Sequence, residues 1–460
     1  MSSLRLVHRS WRAIPLMILL LASAPAFAAD GDLDPAFGSG GLVVTSFEFF
    51  SRITCLAIQP DGKILVGGET GGQDPAVLGR YNSDGTVDPT FNFEPLGVDS
   101  LTDLALLPDG RILYVGSGRL DDTASLDVLV ARVEADGAGD GSVLTDFLGD
   151  GSTGDQAFAI AVQADGKIVV GGSTTAGAGG ALILRYTSEG VLDPGFGTGG
   201  MVFTEIAQDG VRVEDLVLQP DGKIVAVVAV PGGEFGDPPF SAFLLMRFNA
   251  DGTPDPGFGA GGTSTAPLGN PATAAAGALQ PDGRLVVAGT VVVDGVGHLA
   301  VARYNADGSL DPTFSGDGLA LLDGVEGAAA DVVLLPDGRI VAGGEGFGGD
   351  EEDLLLARFL PDGTLDASFG TAGRVLTDFP SNSSQDGAAA LALQADGKIV
   401  AAGSTFSDQN SMALARYLGG PRIATTVPTL DGLGLVLLAV LLLGSGAVML
   451  RRRRAPGTAS

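Results

Sequence analysis

Short apolar runs alternate with polar turn phrases along most of this chain. In one representative stretch, Ala278–Leu279 leads into the phrase Gln-Pro-Asp-Gly-Arg at Gln280–Arg284, and Leu285–Val287 follows. Pro presets φ at the first turn position, and Gly supplies the left-handed residue that ends a type I turn with a bulge. The pattern predicts a hairpin of two short strands.

Further apolar runs follow each hairpin. In the same repeat, Ala300–Tyr304 reads as a third strand, and Leu310–Phe314 reads as a loop because its Pro cannot donate within a central strand. In another repeat, Gly200–Thr204 supplies a fourth short strand. Four short antiparallel strands per unit are typical of a propeller blade.

The turn phrase recurs seven times, in steps of 48 to 61 residues. A period of this size indicates an array of supersecondary units. The turn aspartates are Asp61, Asp109, Asp165, Asp221, Asp282, Asp337 and Asp396. We therefore predict an all-β fold, a seven-bladed β-propeller with four short antiparallel strands per blade.

The last repeat stops after Leu414–Tyr417 and lacks the remaining repeat segments. Those segments stand instead near the other end, at Asp30–Gly31, Leu33–Gly38 and Leu42–Val44. We expect the N-terminal segment to complete the last blade and close the ring. Closure removes the exposed sheet edges that invite aggregation.

The two recurring phrases are Leu-Gln-Pro-Asp-Gly-Lys-Ile-Val and Leu-Ala-Arg-Tyr-Asn-x-Asp-Gly-x-Leu-Asp-Pro-x-Phe-Gly. They resemble the delta-60 repeat, a β-propeller module of bacterial exported proteins, and the resemblance covers residues 30–418. Repeat two departs, because after Arg132–Gly137 it lacks the Leu-Asp-Pro-x-Phe phrase. The resemblance implies a fold but no defined activity.

The first residues read as a secretory signal over residues 1–29. Arginines precede a short apolar run at Leu16–Leu21, and Ala26 and Ala28 give an A-x-A cleavage pattern. The alternative, an N-terminal membrane anchor, is disfavoured because the apolar run is short.

The C-terminal region has three parts after a linker at residues 419–426. The motif Val427, Pro428, Thr429, Leu430 precedes an apolar run at Gly432–Leu450, and four arginines follow at residues 451–454. The run is long enough to cross a bilayer core of about 30 Å as a helix, and the arginines place the tail 455–460 in the cytoplasm.

This order resembles the IPTL-CTERM class of bacterial C-terminal sorting signals, which implies recognition by an exosortase-type membrane protease. The alternative is a plain single-span anchor. In either case we expect residues 30–418 to lie outside the cytoplasm, at the cell surface or released after processing.

The net charge limits the classes of partner, and the single cysteine limits the possible crosslinks. The formal net charge is −29, which excludes nucleic acid as a partner. Cys55 is the only cysteine, so no intrachain disulfide forms. Its apolar neighbours predict a buried side chain rather than a reactive thiol.

Two basic sets recur. The residue after each turn Gly is a cation, and we call these seven residues the turn cations: Lys63, Arg111, Lys167, Lys223, Arg284, Arg339 and Lys398. In a ring they form a candidate binding site for an anionic glycan, whereas the alternative is local compensation of the turn Asp. The second set, the strand arginines, is predicted to join blades by pairing with the Asp of Leu-Asp-Pro: Arg80, Arg132, Arg185, Arg247, Arg303, Arg358 and Arg416.

Asp103, Asp215 and Asp331 share one position on the predicted first strand, six residues before the turn Asp. We call them the axial carboxylates, because this strand is expected to lie near the propeller axis. They could form an acidic catalytic site; alternatively, each caps a neighbouring backbone amide or pairs with a blade arginine. His298 is expected in a solvated loop before a third strand.

Asn305, Asp307 and Asp311 are the repeat residues closest in kind to a calcium loop, but their spacing fits a turn instead. We find no catalytic motif and expect no metal and no cofactor. The sequence favours an exported, non-catalytic binding or structural module whose partners are the secretion machinery, a processing protease and a surface glycan or protein. The alternative is an extracellular enzyme that acts on polysaccharide through carboxylates near the axis.

Overall fold

The structure, a computed structural model, describes most of the chain between residues 29 and 419. The described residues are 29–47, 50–71, 76–91, 94–119, 125–149, 151, 153–206, 210–230, 243–265, 267–268, 271–348, 351–380, 385–406 and 410–419. The proposed signal cleavage at Ala26 and Ala28, the motif Val427–Leu430 and the C-terminal apolar run lie outside them. Among the described residues, none forms a helix long and apolar enough to cross a membrane.

The described residues form short strands joined by turns. In the first three blades and the segment before them, the strands are β1 (Leu42–Thr45), β2 (Ser51–Ile58), β3 (Ile64–Thr70), β4 (Ala76–Tyr81), β5 (Glu94–Pro95), β6 (Ser100–Leu106), β7 (Ile112–Gly118), β8 (Asp127–Val133), β9 (Gly139–Thr145), β10 (Asp155–Val162), β11 (Ile168–Thr174), β12 (Gly180–Tyr186) and β13 (Met201–Glu205). In the last four blades they are β14 (Arg212–Leu218), β15 (Ile224–Ala229), β16 (Leu244–Phe248), β17 (Thr263–Ser264), β18 (Ala272–Leu279), β19 (Leu285–Val293), β20 (Val296–Tyr304), β21 (Leu319–Leu321), β22 (Gly327–Leu334), β23 (Ile340–Phe347), β24 (Glu352–Phe359), β25 (Arg374–Thr377), β26 (Gly387–Leu393), β27 (Ile399–Phe406) and β28 (Asn410–Tyr417).

These strands make seven antiparallel four-stranded sheets, which confirms the predicted seven-bladed propeller. Six sheets use consecutive strands, from β2–β5 for blade 1 to β22–β25 for blade 6. Blade 7 has the order β1-β28-β27-β26, with Leu42 opposite Ala415. The N-terminal strand therefore completes the last blade, as the missing repeat segments predicted.

The ring closes through the first strand of each blade. First strands of consecutive blades contact one another, and β2 of blade 1 contacts β26 of blade 7. These strands are therefore the innermost ones. The apolar core lies between consecutive sheets, as in the cluster that joins Val301 and Phe314 of blade 5 to Leu355 and Phe359 of blade 6.

The turn between the first two strands has the predicted geometry. In blade 1 the Gly62 amide donates to the Gln59 carbonyl at 2.8 Å, and Gly62 has a φ of 85°. A left-handed residue here ends a type I turn with a bulge. The prediction for the Pro-Asp-Gly phrase is confirmed.

Each first strand also carries a β-bulge that the sequence did not predict. The register against the second strand shifts once per blade, for example between Leu101 and Asp103 in β6 and between Val213 and Asp215 in β14. A bulge re-aims the side chains beside it. The axial carboxylates come directly after these bulges.

Candidate functional site

The strand arginines pair with the Asp of the Leu-Asp-Pro phrase, as predicted. In blade 1 the Arg80 Nε donates to the Asp88 Oδ2 at 2.7 Å, and both side chains are buried. The same pair forms in five other blades: Arg185 with Asp193, Arg247 with Asp255, Arg303 with Asp311, Arg358 with Asp366, and Arg416 with Asp34. Blade 2 lacks the phrase, and Arg132 pairs instead with Asp140 in β9.

The same arginines join neighbouring blades. Arg80 Nη1 donates to the Ala135 carbonyl of blade 2 at 2.7 Å, and Arg358 Nη1 donates to the Gly419 carbonyl after blade 7 at 2.9 Å. The Arg80 guanidinium also lies 4.5 Å from the ring centroid of Phe91, within the range of a cation–π interaction. The Asp and the Phe of the Leu-Asp-Pro-x-Phe phrase therefore position the arginine that hydrogen-bonds to the next blade.

The turn cations meet the same aspartates. Lys63 Nζ lies 2.8 Å from Asp88 Oδ2, and its hydrogen bond is the largest cause holding the pKa of Asp88 well below its usual range. Six turn cations also contact their own turn Asp: Arg111–Asp109, Lys167–Asp165, Lys223–Asp221, Arg284–Asp282, Arg339–Asp337 and Lys398–Asp396. The local charge compensation considered from the sequence is therefore present, and it leaves Arg284 the most exposed of the seven, at 39%.

A surface depression of about 500 Å³ lies beside Arg284, where the turns of blades 5 and 6 meet. Its lining includes Arg303, Asp337 and Pro361. Within the described residues, this depression brings a turn cation and a strand arginine to one concave surface.

The axial carboxylates each bind two backbone amides. Asp103 Oδ1 accepts from the Leu104 amide at 2.8 Å, and its Oδ2 accepts from the Ile160 amide of blade 3, also at 2.8 Å. Asp215 and Asp331 repeat this with Gly277 and Leu391 of the following blades. Each carboxylate thus links the innermost strands of two consecutive blades by hydrogen bonds. This matches the amide-capping role considered from the sequence.

These three carboxylates are poorly hydrated. Solvent reaches part of Asp103 and Asp331, but both lie deep among protein atoms. Burial, with a smaller contribution from the charge of Asp215, raises the pKa of Asp103 and of Asp331 to about 7. Burial also raises the pKa of Asp215.

These shifts predict a pH dependence of stability. The folded protein holds protons on Asp103 and Asp331 up to about pH 7, whereas the unfolded chain releases them near about pH 4. The stability that these groups contribute therefore falls as the pH rises across that window. We expect Asp103→Asn to make the fall shallower by up to about 1.4 kcal/mol per pH unit, measured by urea unfolding at a series of pH values.

Asp294→Asn is the matched control, because Asp294 lies in an exposed hairpin turn with a φ of 52° that Asn tolerates. It removes the same charge and should leave the pH profile unchanged. Parallel profiles for Asp103→Asn and the wild type would contradict the shifted pKa.

Two sequence expectations concerned single residues. Cys55 is buried at 5% exposure, as predicted, and burial raises the pKa of its thiol well above the usual range. The loop position expected for His298 is wrong. His298 lies half-buried within β20, opposite Val291, because β19 and β20 extend to a tight turn at Asp294.

The residues compared with a calcium loop have turn roles. Asp307 Oδ1 accepts from the Ser309 amide at 3.0 Å, and Asn305 Nδ2 donates to the Leu310 carbonyl at 3.1 Å. Asp311 belongs to the pair with Arg303. These contacts give the three residues turn and pairing roles within the repeat.

The sequence analysis missed two groups of three carboxylates. Each group offers three carboxylate oxygens within 4.8 Å of one another. We call them the blade 2 acidic cluster, Asp127, Asp146 and Asp155, and the blade 6 acidic cluster, Asp353, Asp378 and Asp386. The one signal in the sequence is the phrase Thr-Asp-Phe, which occurs at Thr145–Phe147 and again at Thr377–Phe379.

Six stretches of the chain match the model of a family described as a domain of unknown function (DUF5122) beta-propeller. The matches are residues 59–91, 163–196, 219–258, 280–314, 335–369 and 394–419. They fall in blades 1 and 3 to 7, each starting at or beside the first turn phrase. No curated protein matches the sequence.

Several solved structures resemble this fold at low sequence identity. A Dyadobacter fermentans protein of unknown function has 12% identity and a TM-score of 0.47, with 84% of this chain and 100% of that chain covered. An inactive virginiamycin B lyase from Staphylococcus aureus has 11% identity and a TM-score of 0.45, with 81% and 98% covered. The β-propeller domain of the trilobed protease from Pyrococcus furiosus has 12% identity and a TM-score of 0.43, with 82% and 95% covered.

Proposed function

We propose that this protein is an exported β-propeller that acts as a non-catalytic binding or structural module at the cell surface. Its repeats are of the delta-60 type, and residues 427–454 act as a sorting signal of the IPTL-CTERM type. The secretion machinery and an exosortase-type protease are then its processing partners. The acidic net charge of −29 favours solubility in that setting.

The observation that carries the binding role is the depression beside Arg284. It is concave, it lies between two blades, and its charged lining consists of Arg284 and Arg303 together with the turn carboxylates Asp282, Asp337 and Asp362. Arg303 is buried and paired with Asp311, so the guanidinium available to a ligand is that of Arg284, which is 39% exposed. An exposed guanidinium binds carboxylate and sulfate groups with directed hydrogen bonds. The ligand class that fits is an anionic surface glycan.

The hydrogen bonds already made by the axial carboxylates and the strand arginines support a non-catalytic role. Both oxygens of Asp103 accept backbone amides, and the strand arginines hold blade interfaces. Such contacts give each polar side chain a structural partner and stabilise the ring.

The test is a glycan array probed with the full chain purified in detergent. We expect anionic glycans to bind and Arg284→Gln to weaken that binding by about 10-fold, the loss of one charged hydrogen bond. Arg52→Gln is the matched control: Arg52 is 50% exposed and lies at the opposite end of a first hairpin. Equal weakening by both variants, or no binding to any glycan, would argue against this site.

A second candidate function has one observation in its favour. A carboxyl with a pKa of about 7, as in Asp103 and Asp331, is suited to general acid catalysis near neutral pH. An enzyme that acts on polysaccharide would release products from a bound glycan, detectable by mass spectrometry. Products that disappear in Asp103→Asn, Asp215→Asn and Asp331→Asn would replace the binding role with this one.

A further inference from the structure

The blade 2 acidic cluster lies where two blades meet. Asp127 is the first residue of β8, Asp146 follows β9, and Asp155 is the first residue of β10 in blade 3. The Phe147 amide donates to Asp155 Oδ2 at 2.7 Å, and the Asp155 amide donates to the Leu126 carbonyl at 2.7 Å. Backbone hydrogen bonds therefore hold Asp155 next to the chain segments that carry Asp146 and Asp127.

The blade 6 acidic cluster repeats this arrangement. Asp378 follows β25, and the Phe379 amide donates to Asp386 Oδ2 at 2.7 Å. The Asp386 amide donates to the Glu352 carbonyl at 2.9 Å, next to Asp353. Two distant blade junctions thus build the same set of three carboxylates.

Both clusters contain buried oxygens without a hydrogen-bond partner. Asp127, Asp155 and Asp386 are 4%, 0% and 1% exposed, and the Oδ1 of each lacks a partner among the described residues. No described lysine or arginine lies within 4.0 Å of Asp127, Asp146 or Asp155. Burying ionised carboxylates side by side without a counterion is strongly unfavourable.

The junction of blades 7 and 1 shows how the same position is filled without charge. Thr45–Phe47 reads Thr-Ser-Phe there, and Ser46 Oγ lies 2.9 Å from Ser411 Oγ. Ser51 Oγ donates to the Asn410 carbonyl at 3.2 Å. Ser411 lies five residues before its strand arginine, as Asp127 does.

A threonine–tyrosine hydrogen bond marks all three junctions as equivalent: Thr45–Tyr81 at 2.7 Å, Thr145–Tyr186 at 2.8 Å and Thr377–Tyr417 at 2.7 Å. The fold therefore accepts hydroxyl side chains at this position, because they hydrogen-bond to one another. Ionised carboxylates at the same position cannot do so and need a cation.

We propose that each acidic cluster is a Ca²⁺ site, so that the propeller binds two Ca²⁺ ions. An all-oxygen, strongly anionic ligand set suits a hard divalent cation. Ligand oxygens lie about 2.3–2.6 Å from Ca²⁺, so oxygens on opposite sides of one ion are about 5 Å apart. In each cluster one carboxylate oxygen from each residue lies within 4.8 Å of the other two, which fits a single shared ion.

Each site ties two blades together. The blade 2 cluster joins β8 to β10, and the blade 6 cluster joins β24 to Asp386, the residue directly before β26. Ca²⁺ binding to the folded state alone stabilises that state by mass action. The melting temperature is therefore expected to rise with Ca²⁺ concentration.

The test is calorimetric titration of the EDTA-treated full chain with CaCl₂, followed by thermal melting. We expect two Ca²⁺ per chain, one in Asp155→Asn, one in Asp386→Asn and none in the double variant. Asp294→Asn, which removes a charge from an exposed turn, should keep both. No Ca²⁺ binding by the wild type, or two ions in every variant, would overturn the proposal.

A serine variant keeps the test decisive if Asp155→Asn fails to fold. Asp127→Ser, Asp146→Ser and Asp155→Ser together copy the serine set of the blade 7 junction. We expect this variant to fold, to bind one Ca²⁺ and to lose part of its stabilisation by Ca²⁺. Retention of two ions, or a preference of the wild type for Mg²⁺ in competition, would overturn the assignment.

Discussion

Deleting Asp30–Phe47 is expected to abolish the cooperative unfolding transition of the propeller. The deletion removes β1 from blade 7 and leaves the edge of β28 unpaired. It also removes Asp34, the buried partner of Arg416, and Phe37, whose ring lies 4.5 Å from that guanidinium. A lost buried Phe and an unpaired buried charge each cost about 3–5 kcal/mol. Their sum approaches the whole stability of a typical domain, about 5–15 kcal/mol.

The segment contacts more than one blade, so its loss is not confined to blade 7. The Gly38 amide donates to the Asp84 carbonyl of blade 1, and the Gly370 amide of blade 6 donates to the Asp30 carbonyl. The measurement is thermal unfolding followed by circular dichroism. Phe37→Ala should lower the melting temperature strongly, whereas Val44→Thr, at a 45% exposed position of β1, should lower it little. An unchanged, cooperative transition after the deletion would contradict closure of the ring by this segment.

The seven blades were predictable because each contains a turn phrase that neighbouring residues alone determine. The Pro-Asp-Gly turn needs only neighbouring residues, so its count in the sequence equals the count of first hairpins in the fold. The role of the strand arginines was predictable for the same reason. Arg80 and Asp88 lie eight residues apart on either side of one turn, and the loop between them is short.

Features that depend on two blades were not predictable from one repeat. The sequence gives the position of Asp103 on its strand, but its second amide partner belongs to Ile160 in the next blade. The β-bulge that directs this carboxylate depends on sheet register, for which the strand carries no distinct signal. The acidic clusters were even less predictable from one repeat. Asp127, Asp146 and Asp155 come from three strand ends in two blades, and their spacing in the sequence matches no metal-binding motif.

His298 shows the limit of apolar patterning. The polar interruption from Asp294 to His298 reads as a loop, yet β19 and β20 pair from Leu285 opposite Tyr304 to Val293 opposite Val296. Cross-strand pairing therefore extends the hairpin through residues with low strand preference. His298 Nδ1 lies 3.3 Å from the Leu322 carbonyl, at the blade position that holds Asp127 in blade 2. The ring thus fills one position with Asp, Ser or His according to the partner available.

The second large effect is expected for Arg358→Ala. Arg358 is 0% exposed and is the largest fully buried side chain among the described residues. Its Nε donates to Asp366 Oδ2 at 2.8 Å, its Nη1 to the Gly419 carbonyl at 2.9 Å and its Nη2 to Asp30 Oδ2 at 3.1 Å. These partners belong to blade 6, to the end of blade 7 and to the N-terminal segment. One guanidinium therefore joins blade 6 to both of the chain segments that meet at blade 7.

Removing it leaves the buried Asp366 carboxylate with its Ser368 hydrogen bonds and, among the described residues, with Arg339 as its one cationic partner, whose nearest nitrogen lies 3.4 Å away. Breaking a buried ion pair in this way costs about 3–5 kcal/mol. The matched control is Arg52→Ala, since Arg52 is 50% exposed and its surface pair with Glu69 contributes about 0–1 kcal/mol. Urea unfolding of both variants measures the difference, and equal losses would contradict a specific role for Arg358. Because Arg358 contacts both chain ends of the propeller, its loss should also weaken the docking of Asp30, so that proteolysis of Arg358→Ala begins in the N-terminal segment.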